Sequence, residues 1–304
     1  MNPRVLACTV WATLAAFSCG CSSTNVSTTK VVPPAAKPVV KDATREELLE
    51  IYNQMALGVK TVNATVELRP IAGSKYSGVI EEYHEVKAFL LAARPGEIRV
   101  IGQAPVIGTT VFDMASDAET FRVSIPSKNK FLTGPIAVER ASNKPIENLR
   151  PQHLLDALLW PEIRKEETVL FEEFNDETAR YYVLTVLRGG YRTEILRKIW
   201  FDRSDLQVAR LESYGPKGAL LSDVHVSDWQ PLLADPEHPA TQPAGVTGFP
   251  RAIRIDRPHD DYRLDLQLTK VTLNEEIPQE RFKLDQPVGS ELVRVSDGAE
   301  DKQP

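Results

Sequence analysis

The sequence predicts a mainly β protein (α+β): a single curved antiparallel sheet or unclosed β-barrel, with an N-terminal helix and a helical lid in mid-chain. Three observations carry this. From Thr61 to Leu273 apolar residues alternate with polar ones, at the period of two that half-buried strands require. Short turn signals separate these runs, which suits hairpins and leaves no room for helical crossovers. Only two stretches replace the alternation with helical spacing, one before the strands and one between them.

The first helix is marked by Thr44 and Glu47, spaced as a capping box, and by Leu48, Ile51, Tyr52, Met55 and Val59 on one face, with Gly58 near its end. Strands follow. Val62, Ala64, Val66 and Leu68 make one face of the first, and a second runs through Tyr76, Gly78 and Ile80 toward Leu90. Arg94-Pro95-Gly96-Glu97 places Pro and Gly where a type II turn prefers them, joining a strand over 86–92 to one over 98–101. After the loop 102–108 come Thr109 to Met114 and then Phe121, Val123 and Ile125. The second helix spans Asn148 to Trp160. Pro151 suits its first turn, Leu154, Leu155, Leu158 and Leu159 recur on one stripe, and Pro161 stops it.

Beyond it the alternation resumes with Tyr181, Val183, Thr185 and Leu187, and Gly189-Gly190 turns the chain into Ile195, Arg197, Ile199 and Phe201. Four more strands are expected over 206–214, 220–229, 250–255 and 262–273. The count is about ten, a strongly curved sheet with the Leu-rich helix either plugging its concave side or covering a cavity there. Pro231 to Gly248 reads as a long surface loop, and Ser296 to Pro304 as a disordered tail.

Composition bounds the chemistry. The 304 residues are 42% hydrophobic and 26% charged, enough for one large β domain over 43–295. The 36 basic residues are scattered among 42 acidic ones for a net charge of −6, which argues against nucleic acid because no basic face is clustered. No Gly-x-Ser-x-Gly elbow, Walker A loop or Gly-x-Gly-x-x-Gly fingerprint is present, so no enzyme activity and no cofactor is expected. The five histidines show no metal-ligand spacing. His259-Asp-Asp261 could bind a cation but reads better as a polar turn, and Glu81, Glu82 and Glu85 near His84 could suggest acid–base work but read better as solvated.

The N-terminus carries a short basic start, Arg4, and an apolar run from Val5 to Phe17 too short to span a bilayer, which together read as an export signal. Ser18-Cys19-Gly20-Cys21-Ser22 resembles the lipobox of bacterial lipoproteins. That resemblance implies a signal peptide over 1–20 and lipidation (palmitate among the acyl chains) of Cys21, with Cys19 as the less favoured alternative. Ser18, where Leu is usual, is the departure. Ser22 resembles the residue that sends lipoproteins to the outer membrane. Residues 21–42, rich in Ser, Thr, Pro and Lys, read as an extended tether reaching on the order of 60 Å at about 3.1 Å per residue.

Three further pieces resemble a family. They are Pro105-Val-Ile-Gly108 between strands; Ile199-Trp-Phe-Asp-Arg203 followed by Leu206-Gln-Val-Ala-Arg210; and the closing Asn274-Glu-Glu-Ile-Pro278 with Phe282-Lys-Leu284 and Pro287-Val-Gly289. Together with the element order from Ala43 to Val295, they resemble the periplasmic lipoprotein carriers and receptors LolA and LolB. The resemblance implies a half-barrel whose mid-chain helix lies over an apolar concavity, and a role in lipoprotein sorting or lipid transfer. The lipid anchor makes the chain look more like the outer-membrane receptor than the soluble carrier. Partners would be lipid acyl chains or lipoproteins, the membrane through the anchor, and another envelope protein. The alternative keeps the fold and loses the cargo, as a sensor or scaffold binding another periplasmic protein.

A cavity for acyl chains needs apolar walls free of unpaired charge. The candidate walls are Val66, Leu68, Val100, Phe112, Met114, Phe121 and Val123 from the first half of the chain. Leu184, Ile199, Phe201, Leu266 and Leu268 come from the second, and Leu154, Leu155, Leu158 and Leu159 from the helix. The same residues would equally serve as a filled core. Pro105, Val106 and Ile107 are read either as an apolar tip that touches a membrane or partner, or as a tight turn packed inward.

Overall fold

The structure is a computed structural model, and it describes residues 40–74, 78–137, 145–176, 179–190, 192–232, 243 and 245–295. The export signal, Cys19, Cys21, the tether through Val39 and the tail from Ser296 lie outside the described residues, as does most of the 231–248 loop.

Helix α1 (Arg45–Gly58) starts where the sequence places it: the Thr44 hydroxyl accepts from the Glu47 amide at 3.3 Å and the Glu47 carboxylate accepts from the Thr44 amide at 2.7 Å. Its buried face is Leu48, Tyr52, Met55 and Ala56, while Ile51, expected on that face, is exposed. Packing begins slightly earlier than residue 43. The Lys41 amide donates to Arg203 O at 2.7 Å and Asp42 pairs with the Arg203 guanidinium at 3.0 Å, so the last two tether residues already lie on the body.

A run of strands follows: β1 (Thr61–Ser74), β2 (Val79–Glu82), β3 (Val86–Ala93), β4 (Glu97–Gln103), β5 (Thr110–Asp117), β6 (Thr120–Ile125) and β7 (Lys130–Pro135). Helix α2 (Pro151–Leu158) comes next. The second run is β8 (Thr168–Asn175), β9 (Arg180–Arg188), β10 (Glu194–Asp202), β11 (Val208–Tyr214), β12 (Leu220–Pro231), β13 (Gly248–Arg257), β14 (Tyr262–Leu273) and β15 (Glu291–Arg294). They form one sheet in the order β15-β7-β6-β5-β4-β3-β1-β14-β13-β12-β11-β10-β9-β8, with β2 paired to β1. The path does not close, so the architecture is the unclosed, curved antiparallel sheet that the alternation predicts.

Several strands go beyond the sequence reading. β2 is separate from β3, and β8, with seven of its eight residues exposed, carries no alternation to read. β15 departs from the antiparallel rule by pairing parallel to β7, Leu292 opposite Phe131. The Arg94–Pro95 peptide is cis, in place of the expected type II turn.

The topology divides the sheet into two halves. β3 to β7 extend from one side of β1 and β13 to β8 from the far side of β14, while β1 and β14 pair centrally, Val66 with Leu268 and Leu68 with Leu266. The closing motif locks this seam. Asn274, at φ +55°, accepts from the Lys60 amide at 2.7 Å through its side chain and donates to Gly58 O at 2.8 Å, tying the end of β14 to the end of α1. Phe282 then buries against Leu91, Ala93 and Ile277 on the outer side, and Arg99 holds that segment through Arg281 O and Lys283 O. Helix α2 sits in the connection between the two halves and packs on β4, β5 and β13, so it bridges them.

Candidate functional site

The concave face is apolar because the inward positions of every central strand are aliphatic or aromatic. Val66, Leu68, Val100, Met114, Leu184, Ile199, Phe201, Leu266 and Leu268 all lie within one buried cluster. Leu154, Leu155, Leu158 and Leu159 join it: Leu154 is 0% exposed and Leu159, the most open of them, 6%. Phe112 and Val123 pack on the cluster's rim, partly covered. The Phe112 ring lies over Gly102, where any Cβ would collide with it. Phe121 is fully buried but stands apart from the cluster, beneath the Arg150 guanidinium at 4.5 Å from the ring centroid. In this closed arrangement the leucine stripe of α2 occupies the concavity.

The two ends of α2 are held differently. Past its C-terminus, Trp160 is buried, stacked on Tyr52 at 5.8 Å and edge-on to Trp229 at 6.2 Å. The Tyr52 hydroxyl donates to Pro161 O at 2.8 Å, and Asn53 both donates to Ile163 O at 3.1 Å and accepts from the Ile163 amide at 2.9 Å. Arg94 donates to Trp160 O at 2.7 Å and to Ala56 O at 2.7 Å, joining the exit of α2 to the end of α1. At the N-terminal end no side chain caps the helix, and the Arg150 guanidinium donates to the nearby carbonyls of Glu147 and Leu149 besides its ring contact. The first turn is tied to the sheet through His153 Nδ1 and the Tyr262 hydroxyl. The exit of α2 is thus joined to α1 through Tyr52 and Asn53 and to the turn after β3 through Arg94.

Burial shapes the charges nearby. Desolvation, with the fields of Arg257 and Arg150, holds the His153 imidazole well below its ordinary pKa, so it is neutral at pH 7. Burial raises the Tyr262 phenol and lowers the Arg150 guanidinium. None of these residues carries a sequence signal beyond its place on the helix or in a turn. His153, read as a boundary residue, is half-buried and also pairs with Tyr262, and Tyr52, Asn53 and Arg94 are anchors that periodicity does not distinguish from ordinary helix and turn residues.

The loop tip is settled by exposure. Val106 is 94% and Ile107 74% exposed, with Pro105 beside them also in solvent, so the turn projects outward. Ala104 closes its base, its amide donating to Thr109 O at 2.9 Å and its carbonyl accepting from Gly108 at 3.0 Å. On the opposite, outer face a groove of about 860 Å³ crosses β1, β14, β13 and β12, lined by charged side chains such as Glu67, Arg69, Arg254 and Asp265.

No protein-family model matches the chain, and no curated protein matches it either. Solved structures do. One is a DUF1329 family protein from Desulfovibrio piger, at 12% identity and a TM-score of 0.48 over 78% of this chain and 96% of that one. At such identities the likeness is one of fold. Two more are a LolA superfamily protein from Nitrosomonas europaea and a putative outer membrane lipoprotein-sorting protein domain from Vibrio parahaemolyticus. Each is 13% identical with a TM-score of 0.46; they cover 80% and 79% of this chain and 99% and 97% of their own chains.

Proposed function

We propose that the chain is a lipid-anchored protein of the cell envelope, facing the periplasm from the outer membrane, that holds acyl chains of lipoproteins or other lipids on the concave face of its sheet. The observation that carries this reading is the leucine stripe of α2, seated on an unclosed apolar face. Burying four leucine side chains is worth roughly 6–12 kcal/mol at about 1.5–3 kcal/mol each, and an acyl chain recovers about 0.8 kcal/mol per methylene. Some eight to fifteen methylenes thus balance the four leucines. Exchange of helix for acyl chain is therefore close to isoenergetic, as a carrier that both loads and releases requires. The mechanism has no covalent step. The exposed Val106–Ile107 tip would meet the membrane or the delivering partner, and Cys21 would carry the anchor. No helix among the described residues is long and apolar enough to cross a membrane.

The second reading, a sensor or scaffold that binds another envelope protein, is favoured by the complete burial of Leu154 in a filled core. Mass spectrometry of organic extracts from the full-length chain separates the two. Under the first reading stoichiometric acyl lipid accompanies the protein and a fluorescent fatty acid displaces it; absence of both leaves the scaffold. In the same cells Cys21→Ala should abolish incorporation of labelled palmitate while Cys19 is intact. Labelling that persists would move the anchor to Cys19.

A further inference from the structure

Between the flank of α2 and the concave ends of β10 to β13 lies a partly enclosed pocket of about 120 Å³. Tyr52, His153, Asp156, Arg197, Ser222 and Arg257 are among the residues that reach it. Most of its polar groups are already committed. The Tyr52 hydroxyl serves Pro161 O, and Arg197 donates to Glu167 at 2.6 Å and to Glu162 O at 2.7 Å. Glu212, also on the wall, turns its carboxylate to Trp200 Nε1 at 3.0 Å and to Arg210 at 2.9 Å.

Two donors remain. Arg257, its side chain 12% exposed, donates Nε to Asp260 at 2.8 Å, and its terminal nitrogens meet no acceptor among the described residues. The second is His153. Its Nδ1 is paired with the Tyr262 hydroxyl, and with that O–H as the donor the ring proton sits on Nε2. That Nε2–H also lacks an acceptor among the described residues. Asp156 is the carboxylate that opposes an anion here. It is exposed to solvent and Gln152 donates to it at 3.1 Å, which screens and satisfies its charge.

We infer that this pocket binds a small oxyanion, a carboxylate or a phosphate, between the terminal N–H fork of Arg257 and the Nε2–H of His153. A planar guanidinium edge matches two oxygens of either group, and the imidazole N–H supplies a third bond. The pocket has room for a phosphate or a carboxylate with its first carbons, and none for a whole acyl chain. Because His153 rides on α2 and Arg257 on β13, the anion would clamp the helix to the second half of the sheet. Where the oxyanion is a lipid headgroup the inference rests on the acyl-chain reading; where it is a free anion it does not.

The test titrates the full-length chain, ¹⁵N-labelled at histidine and held in a nonionic detergent, with inorganic phosphate, acetate, oleate and phosphatidate-containing vesicles. The His153 signal is assigned by its loss in His153→Gln. A saturable shift of His153 Nε2 is expected, with affinity reduced about tenfold or more in Arg257→Lys, which keeps the charge opposite Asp260 and loses the fork. Ser222→Leu, which fills the pocket without touching a charge, should abolish the shift in a chain whose circular dichroism is unchanged. Response to phosphate or acetate identifies a free anion, and response to oleate or phosphatidate alone identifies a headgroup. No saturable shift with any of the four, or equal affinity in Arg257→Lys, overturns the inference. Acyl lipid found in the extracts while His153 stays silent would leave the acyl-chain reading standing and remove this one alone.

Discussion

Leu154→Ala is expected to lower stability by about 2–5 kcal/mol, with urea denaturation showing a lower midpoint at an unchanged slope. Leu154 is 0% exposed, and its neighbours in the cluster come from both halves of the sheet, so they cannot close around the lost volume without shifting strands that pair centrally through β1 and β14. The cost is the lost transfer energy plus the cavity left behind. Val106→Ala, at 94% exposure, provides the control and should stay within about 0.5 kcal/mol of the parent. The variant also separates the two functional readings, because weakening the helix's hold raises the fraction of chains open to a ligand and so strengthens apparent affinity in proportion. If the concave face receives acyl chains, Leu154→Ala takes up a fluorescent fatty acid more tightly than the parent even as it unfolds more easily. A scaffold with a filled core loses stability and gains no uptake.

How far the sequence revealed this molecule depends on what each residue's role leaves in the local pattern. Inward strand positions such as Val66, Leu68, Ile199 and Leu266 announce themselves because burial on one face of a strand forces alternation, and the α2 stripe does so because burial on one face of a helix forces helical spacing. The location of α2 between two halves of one sheet was legible from the order of elements alone. Strand β8 was not, because an edge strand exposed on both faces is under no pressure to alternate. β15 escaped because four residues pairing parallel to β7 depend on a connection that no local pattern encodes. The anchors of the helix were hidden for the same reason. Arg94 meets Trp160 across 66 positions, Asn53 meets Ile163 across 110 and His153 meets Tyr262 across 109, and a hydrogen bond between residues so distant leaves no periodic trace. Whether the concave residues line a space or fill one was undecidable from sequence, since both outcomes demand the same apolar side chains. The structure shows them filled by α2.

Mild acid should loosen that helix before it unfolds the sheet. His153 is neutral in the folded protein because desolvation, and then Arg257 and Arg150, disfavour its protonated form. Tyr262 accompanies them, while Asp156 and Asp260 provide nearby carboxyl groups. The sign follows from the depressed pKa. The unfolded chain takes up the proton near pH 6.5 and the folded one only at lower pH, so the stability His153 permits is fully present above about pH 6.5 and lost as pH falls below it. Each unit below that value costs up to about 1.4 kcal/mol until the folded form also titrates. His153→Gln keeps a partner for the Tyr262 hydroxyl and cannot titrate, so its stability should vary less with pH than the parent's between about pH 6.5 and 5. Hydrogen exchange locates the effect. Because α2 is fixed beyond Trp160 by Tyr52, Asn53 and Arg94 and lacks a side-chain cap at Arg150, the amides of its first turns should lose protection first. Parallel pH profiles for parent and His153→Gln, or loss of protection in β1 and β14 as early as in α2, would show that the helix is not the acid-sensitive element.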